Sequence, residues 1–491
     1  MNRPIRLLAM GVFAVFIVLI AAVTYHQLIV GPDYRDDPRN VRVAAGITGR
    51  ERGTIITADG VVVAVSETDP DDPLSFRRSY PEGDLYGHTV GYSTLLFGNQ
   101  GIEATHTSDL VSNRDATISG VISALLGGDV RPQGLRLTIE HNLQEVAKEA
   151  LGNQRGSVVA IDPSTGAILA MVSNPGFDPN TLVGGGAGAS GVALDEDPAE
   201  PLLNRATAAS YPPGSTFKLI TTAAAFESGI ASAGTPYPNP VELELPGSTA
   251  TISNFNEMSC GAGAEVPLST AFISSCNTIF GMLGMELGAE KLVGAAESFG
   301  FNSEPPLDIR SIASSIPSIE TFEFDIPGLA QSAIGQRDVR ATPIQMAIAA
   351  AAIANGGEIM VPYLVDEVFN AEGVVQQSAE PVVWRRATSP SAATALADLM
   401  ESVVTSGTGR RASVPGVRVA GKTGTAEVPD EAPHAWFIGY GPVEPAADDP
   451  QIAIAVLVES GGDAGEAATG GTVAAPIAQL VLAEFFGVGQ E

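Results

Sequence analysis

Lysine is nearly missing from this chain. Four occur in 491 residues, at positions 148, 218, 291 and 422, against twenty-two arginines. Arginine stays charged at any ordinary pH, whereas a buried lysine can be driven to its neutral form and take up a proton. Where so few lysines persist, their positions carry chemical information. Cysteine is scarcer still, with only Cys260 and Cys276, and the five histidines at 26, 88, 106, 141 and 434 have no ligand-like spacing. This pattern argues against a protein-held metal, and nothing implies a cofactor. Basic clusters are also lacking. A formal charge of −30 excludes nucleic acid as a partner, because phosphate contacts need grouped lysine and arginine; the acidity reads as an exported, well-solvated surface.

Two of the four lysines lie in short motifs, Ser215-Thr216-Phe217-Lys218 and Lys422-Thr423-Gly424-Thr425. On a helix, a separation of three stacks Ser215 and Lys218 on one face, where a neutral amine can accept the hydroxyl proton as serine attacks a carbonyl. Tyr211-Pro212-Pro213-Gly214 comes just before, and an apolar run from Phe217 to Phe226 follows. Ser215 is therefore expected at the start of a buried helix, at the positive end of its dipole. Sixty residues on lies Ser275-Cys276-Asn277, and the strand-like Val417-Arg418-Val419-Ala420-Gly421 runs into Lys422. Singly, such motifs are ordinary turns and helix caps. In this order and company they are specific.

Residues Leu7 to Val23 form an apolar run preceded by Arg3 and Arg6 and extended to Val30, long enough to span a bilayer. The charges place the N-terminus in the cytoplasm and the remainder outside a plasma membrane crossed once. A cleaved signal peptide is the competing reading, but no small-x-small site follows the run cleanly. The chain divides into a tip and anchor (1–30), a β-rich, non-catalytic pedestal (31–137) and a catalytic domain (138–491). In the pedestal, Val61 to Val65 alternates as a strand after an Asp59-Gly60 turn, and Gly101-Ile102-Glu103 reads as a turn. A helix is expected from Thr138 to about Leu151, and Ser157–Asp162 with Ala167–Ser173 should form a hairpin. Gly184 to Pro201 reads as a mobile Gly-rich loop. Val417–Ala426, His434–Tyr440 and Gln451–Glu459 follow as antiparallel strands before a closing helix, Thr472–Phe486. The fold class is α+β, an antiparallel sheet between helices, with the Lys422 strand beside the Ser215 helix.

Together these motifs resemble the class B penicillin-binding proteins, membrane-anchored peptidoglycan D,D-transpeptidases, and among them the actinobacterial penicillin-binding protein A type. Arg52-Gly53-Thr54-Ile55, Gly335-Gln336, Thr342-Pro343-Ile344-Gln345-Met346-Ala347 and Ala435-Trp436-Phe437-Ile438-Gly439 extend the likeness over nearly the whole chain. The resemblance implies that Ser215 attacks the D-Ala-D-Ala bond of a stem peptide, with Lys218 as base and Ser275 relaying the proton to the leaving amine. It implies that Asn277 holds the substrate backbone, while Lys422, Thr423, Gly424 and Thr425 form the strand that receives the terminal carboxylate. The N–H groups of Ser215 and Thr425 would make the oxyanion hole. β-Lactams should acylate the same serine. Residues 31–150 read as pedestal with no glycosyltransferase module, so glycan polymerisation would fall to a membrane-embedded partner of the SEDS type.

Three rivals share these motifs. A class A β-lactamase needs a Glu-x-x-x-Asn loop between the second and third motifs; no glutamate between Asn277 and Lys422 has that spacing, and Asp366 to Asn370 offers only an aspartate. A D,D-carboxypeptidase shares the acylation step. A non-catalytic β-lactam or muropeptide sensor sits badly with a complete motif set. Finally, Cys260 and Cys276 lie sixteen residues apart on the oxidising side of the membrane. A disulfide is expected, and two separate buried thiols are the alternative.

Overall fold

The computed structural model describes residues 2–26, 49–70, 72, 75–111, 131–184, 186–445 and 451–489. Parts of the expected anchor and pedestal, residues 27–48, 71, 73–74 and 112–130, lie outside these. An N-terminal helix, Asn2–Tyr25, is long and apolar enough to cross a membrane over Ile5–Tyr25.

The catalytic sheet has five strands in the order Ala420–Val428, Glu431–Gly441, Ile452–Val458, Gly156–Ile161, Ile168–Asn174, every neighbouring pair antiparallel. Its central strands are apolar on both faces because both are covered. Val159, Ile161, Trp436, Ile438, Ala455 and Leu457 point into one core, where helix Pro343–Ala354 packs. Their neighbours Val158, Ala160, Phe437, Ile454 and Val456 point into the other, under helices His141–Leu151 and Ala475–Phe485. The pleat, which sends successive side chains to opposite faces, turns two short apolar repeats into two cores.

The pedestal differs from the sequence expectation in two ways. Its six-stranded sheet runs Val375–Ser378, Val365–Phe369, Gly134–Leu137, Ile55–Ile56, Val62–Thr68, Phe76–Ser79. Two of these strands thus come from far along the chain, inside residues 138–491. Arg136 Nε donates to Glu367 Oε2 at 2.9 Å across that junction. The turn expected at Gly101-Ile102-Glu103 instead begins two short helices, Ile102–Thr105 and Thr107–Leu110. They bury Glu103, which accepts from Arg52 Nε at 2.8 Å and Arg78 Nε at 2.5 Å. Burial would raise that carboxyl, but the two guanidinium groups hold it below its ordinary value.

The Gly-rich stretch 184–201 is not wholly a loop, since Ala187–Asp195 is helical. Its small residues permit a close approach to the pedestal: a Cβ at Gly191 would stand 2.2 Å from the Phe97 ring. Packing there overrides the poor helix propensity of glycine.

Candidate active site

Ser215 does not begin an α-helix. Gly214–Phe217 is a 3₁₀ turn, and the α-helix Lys218–Ser228 starts at the lysine. A 3₁₀ turn eclipses residues three apart, so it stacks the serine over the lysine more directly than the expected α-helix would. Gly214 is left-handed, with φ +53°, and a Cβ on it would lie 2.6 Å from the Thr425 carbonyl oxygen. Only glycine lets the turn press so closely on the 420–428 strand. Gly335 supports it from behind, accepting from Gly214 N–H at 2.9 Å, and Trp436 Nε1 donates to Pro212 O at 3.0 Å.

Ser275 sits between helix Leu268–Ile273 and helix Asn277–Ser298. It is left-handed, φ +61°, without being glycine. Such strain persists only where the surroundings enforce it. Here Asn254 does part of that work: its Oδ1 accepts from Asn277 N–H at 2.9 Å and Thr278 N–H at 3.0 Å. Cys276, between Ser275 and Asn277, is joined to Cys260 by a disulfide.

These elements bring the three motifs into one cluster. The Lys218 amine reaches Ser275 O at 2.7 Å, Asn277 Oδ1 at 2.8 Å and Ser275 Oγ at 3.4 Å. Lys422 Nζ donates to Ser275 Oγ at 2.8 Å and Thr423 O at 3.0 Å. Both lysines are fully buried, whereas Ser215, Ser275, Asn277 and Thr425 are partly open. Burial, and then the charge of Lys422, hold the Lys218 amine well below the ordinary lysine value. Burial alone brings Lys422 down to about 7. A neutral Lys218 has two N–H bonds, which Ser275 O and Asn277 Oδ1 can take, leaving its lone pair free to receive a proton. A partly open serine hydroxyl and a buried amine are thus carried on one turn, three residues apart.

Thr423 and Thr425 follow Lys422 on the same strand. Thr423 Oγ1 lies 2.6 Å from Thr408 Oγ1, and Gly470 N–H approaches Thr425 Oγ1 at 3.4 Å. A side chain at Gly424 is excluded, because a Cβ would stand 2.8 Å from Pro213 O. Sequence reasoning missed Thr408 and Asn254, which lie in no motif and reach the site only through tertiary contact.

Residues 156–483 match the penicillin binding protein transpeptidase domain. The chain belongs to that family. Residues 52–135 match the penicillin binding protein A dimerisation domain. Across 98% of this chain and 99% of its own length, the peptidoglycan D,D-transpeptidase PbpA of Mycolicibacterium smegmatis is 40% identical. The Mycobacterium tuberculosis PbpA is 37% identical over 98% of both chains. Penicillin-binding protein A of M. tuberculosis, solved as its penicillin G acyl-enzyme complex, superposes with a TM-score of 0.81 at 37% identity, covering 89% of this chain and 100% of that one. The Pseudomonas aeruginosa penicillin-binding protein 2 gives 0.74 at 30% identity, covering 89% and 96%.

Proposed function

We propose that this chain is a peptidoglycan D,D-transpeptidase in which Ser215 is the nucleophile and Lys218 its base. The observation that carries the reading is the placement of two buried amines on either side of one hydroxyl: Lys422 Nζ at 2.8 Å and Lys218 Nζ at 3.4 Å from Ser275 Oγ. Relatives of nearly full-length similarity are named D,D-transpeptidases.

Ser215 Oγ attacks the carbonyl carbon of the penultimate D-alanine of a stem peptide, and its proton passes to the Lys218 lone pair. The developing oxyanion is held by the N–H groups of Ser215 and Thr425, which cost no reorganisation as the charge grows. Collapse breaks the C–N bond. The proton returns from Lys218 through Ser275 Oγ to the departing amine, and D-alanine leaves. A second stem-peptide amine then attacks the acyl-enzyme carbonyl and gives a proton to Lys218. The cross-link C–N bond forms as the C–O bond to Ser215 breaks, and Lys218 returns the proton to Ser215 Oγ. Lys422, Thr423 and Thr425 hold the donor's terminal carboxylate, Gly424 leaves space for the nucleophile turn, and Asn277 holds the donor backbone. An arriving carboxylate favours the charged form of Lys422, so the approach of substrate restores the cation that burial disfavours. β-Lactams, which present a carboxylate beside a strained amide, acylate the same serine.

We further propose a single pass through the plasma membrane with a cytoplasmic N-terminus, residues 1–30 as tip and anchor, 31–137 as pedestal and 138–491 as the transpeptidase domain. A membrane-embedded glycan polymerase of the SEDS type is the proposed partner, supplying the strands to be cross-linked. Full-length protein given a D-Ala-D-Ala donor and an acceptor amine should yield the cross-linked product and free D-alanine. Hydrolysed donor alone would make it a carboxypeptidase.

A further inference from the structure

At the end of the Ile452–Val458 strand lies a polar cluster that the acyl-transfer steps do not use. Glu459 is its centre, with a side chain 10% exposed. Its Oε1 accepts from the Tyr211 hydroxyl at 2.6 Å and from Arg205 Nε at 2.8 Å, and its Oε2 accepts from Arg155 Nε at 3.0 Å. Arg205 is fully buried, its other N–H groups donating to Ala199 O at 2.9 Å and Glu200 O at 3.0 Å. The Glu459 backbone is fixed too, since its N–H donates to Arg155 O at 2.8 Å.

Tyr211 lies four residues before Ser215 and opens the turn that carries it. That turn has few hydrogen bonds of its own, chiefly Thr216 Oγ1 donating to Pro213 O at 2.7 Å. Two prolines remove N–H donors, Gly214 is left-handed, and a single 3₁₀ turn has poor hydrogen-bond geometry. Its position must come from external anchors. Gly335 holds Gly214 and Trp436 holds Pro212, as described above. Ala341 pairs with Tyr211 through both backbone groups, at 2.9 and 2.8 Å. The Tyr211 ring stands edge-on to His434 and Trp436, centroids 5.4 and 6.4 Å away. A further hold is the hydroxyl on Glu459, a charge-assisted bond to a carboxylate that two arginines keep in place. Burying the Arg205 and Glu459 charges is costly, and apolar replacements of such buried pairs are often neutral or stabilising.

We infer that Glu459 is a positioning residue for acylation: through the Tyr211 hydroxyl it fixes the turn that presents Ser215 to Lys218 and to the Thr425 backbone. The inference rests on the reading of Ser215 as nucleophile.

The test uses the full-length protein in detergent micelles and a fluorescent penicillin. Burst titration counts active sites, and stopped-flow mixing separates the saturating acylation rate per site from the apparent dissociation constant. Tyr211→Phe keeps the ring packing and removes only the hydroxyl. It should leave the melting temperature and dissociation constant nearly unchanged while lowering the saturating rate roughly ten- to a hundredfold, the range for losing a hydrogen bond to a charged group or misplacing a reacting atom. In a Glu459→Leu background, where no acceptor faces the hydroxyl, the effect of Tyr211→Phe should shrink, because the two residues act as one unit. An unchanged rate per titrated site in Tyr211→Phe, or an undiminished Tyr211→Phe effect in a folded Glu459→Leu background, overturns the proposal. Labelling that survives Ser215→Ala in the same assay would instead overturn the nucleophile assignment.

Discussion

Lys422 Nζ stands 2.8 Å from Ser275 Oγ, bridging the strand of the third motif to the turn of the second. Lys218 Nζ is 3.4 Å from the same oxygen. The Ser275 hydroxyl oxygen thus lies within reach of both buried amines. On the proposed assignment the chain Lys422, Ser275, Lys218 has a polarity, with the carboxylate-binding amine at one end and the base at the other.

That polarity has a pH signature. With Lys218 as the proposed base, acylation needs its amine neutral, and since burial and Lys422 hold it well below the ordinary value of 10.5, the acidic limb of the saturating acylation rate should lie well below that of an ordinary lysine, with the rate falling as the solution is acidified. Lys422→Met removes one of those two causes and should shift the acidic limb of the profile to higher pH. An unmoved limb would mean that the Lys422 charge does not tune Lys218. Stability follows the same sign. Lys422 has a folded value of about 7 against 10.5, so between those values the unfolded chain binds more protons and stability should rise with pH. A thermal melt series of wild type and Lys422→Met, the latter with a flatter rise, checks this.

Lys218→Arg should reduce acylation by at least about a hundredfold, the low end for general base catalysis, because guanidinium does not give up its proton. A folded Lys218→Arg protein that still acylates at the wild-type rate would move the base elsewhere.

Lys422→Ala should weaken capture of a carboxylate-bearing substrate more than capture of its amidated analogue. Comparing kcat/KM for the two ligands reads the difference directly. Equal losses would assign Lys422 to tuning Lys218 or to holding the strand.

The Cys260–Cys276 bond closes a loop of separation 16 and immobilises the residue between Ser275 and Asn277. Cys260→Ser should lower the thermal midpoint, consistent with about 3 kcal/mol for a loop of this length, and should slow acylation as the left-handed Ser275 relaxes. Two free thiols in the denatured, unreduced wild-type protein would remove the basis for both effects.

The parts of the site that the sequence displayed are those whose chemistry is local. Ser215 with Lys218, Ser275 with Asn277, and Lys422 with Thr423 to Thr425 each lie within one turn or strand, so spacing alone aligns them. Thr408, Asn254 and Glu459 act across 15, 23 and 248 residues, as in Thr408–Thr423, Asn254–Asn277 and Glu459–Tyr211, and nothing in their neighbourhoods announces it. The five catalytic strands were legible through their apolar pleat. The pedestal's borrowed strand Val365–Phe369 was not, because its partner Gly134–Leu137 lies over two hundred residues earlier. The Ala187–Asp195 helix was hidden by its Gly, Ala and Ser content, which reads as a loop until the Phe97 ring is seen against it.

The central claim is that Ser215 forms an acyl-enzyme that water does not quickly release. Full-length protein incubated with penicillin and digested for mass spectrometry should carry the penicilloyl mass on the peptide containing Ser215, persisting for minutes or longer. A shift on another residue, or rapid recovery of free enzyme with hydrolysed drug, would contradict it.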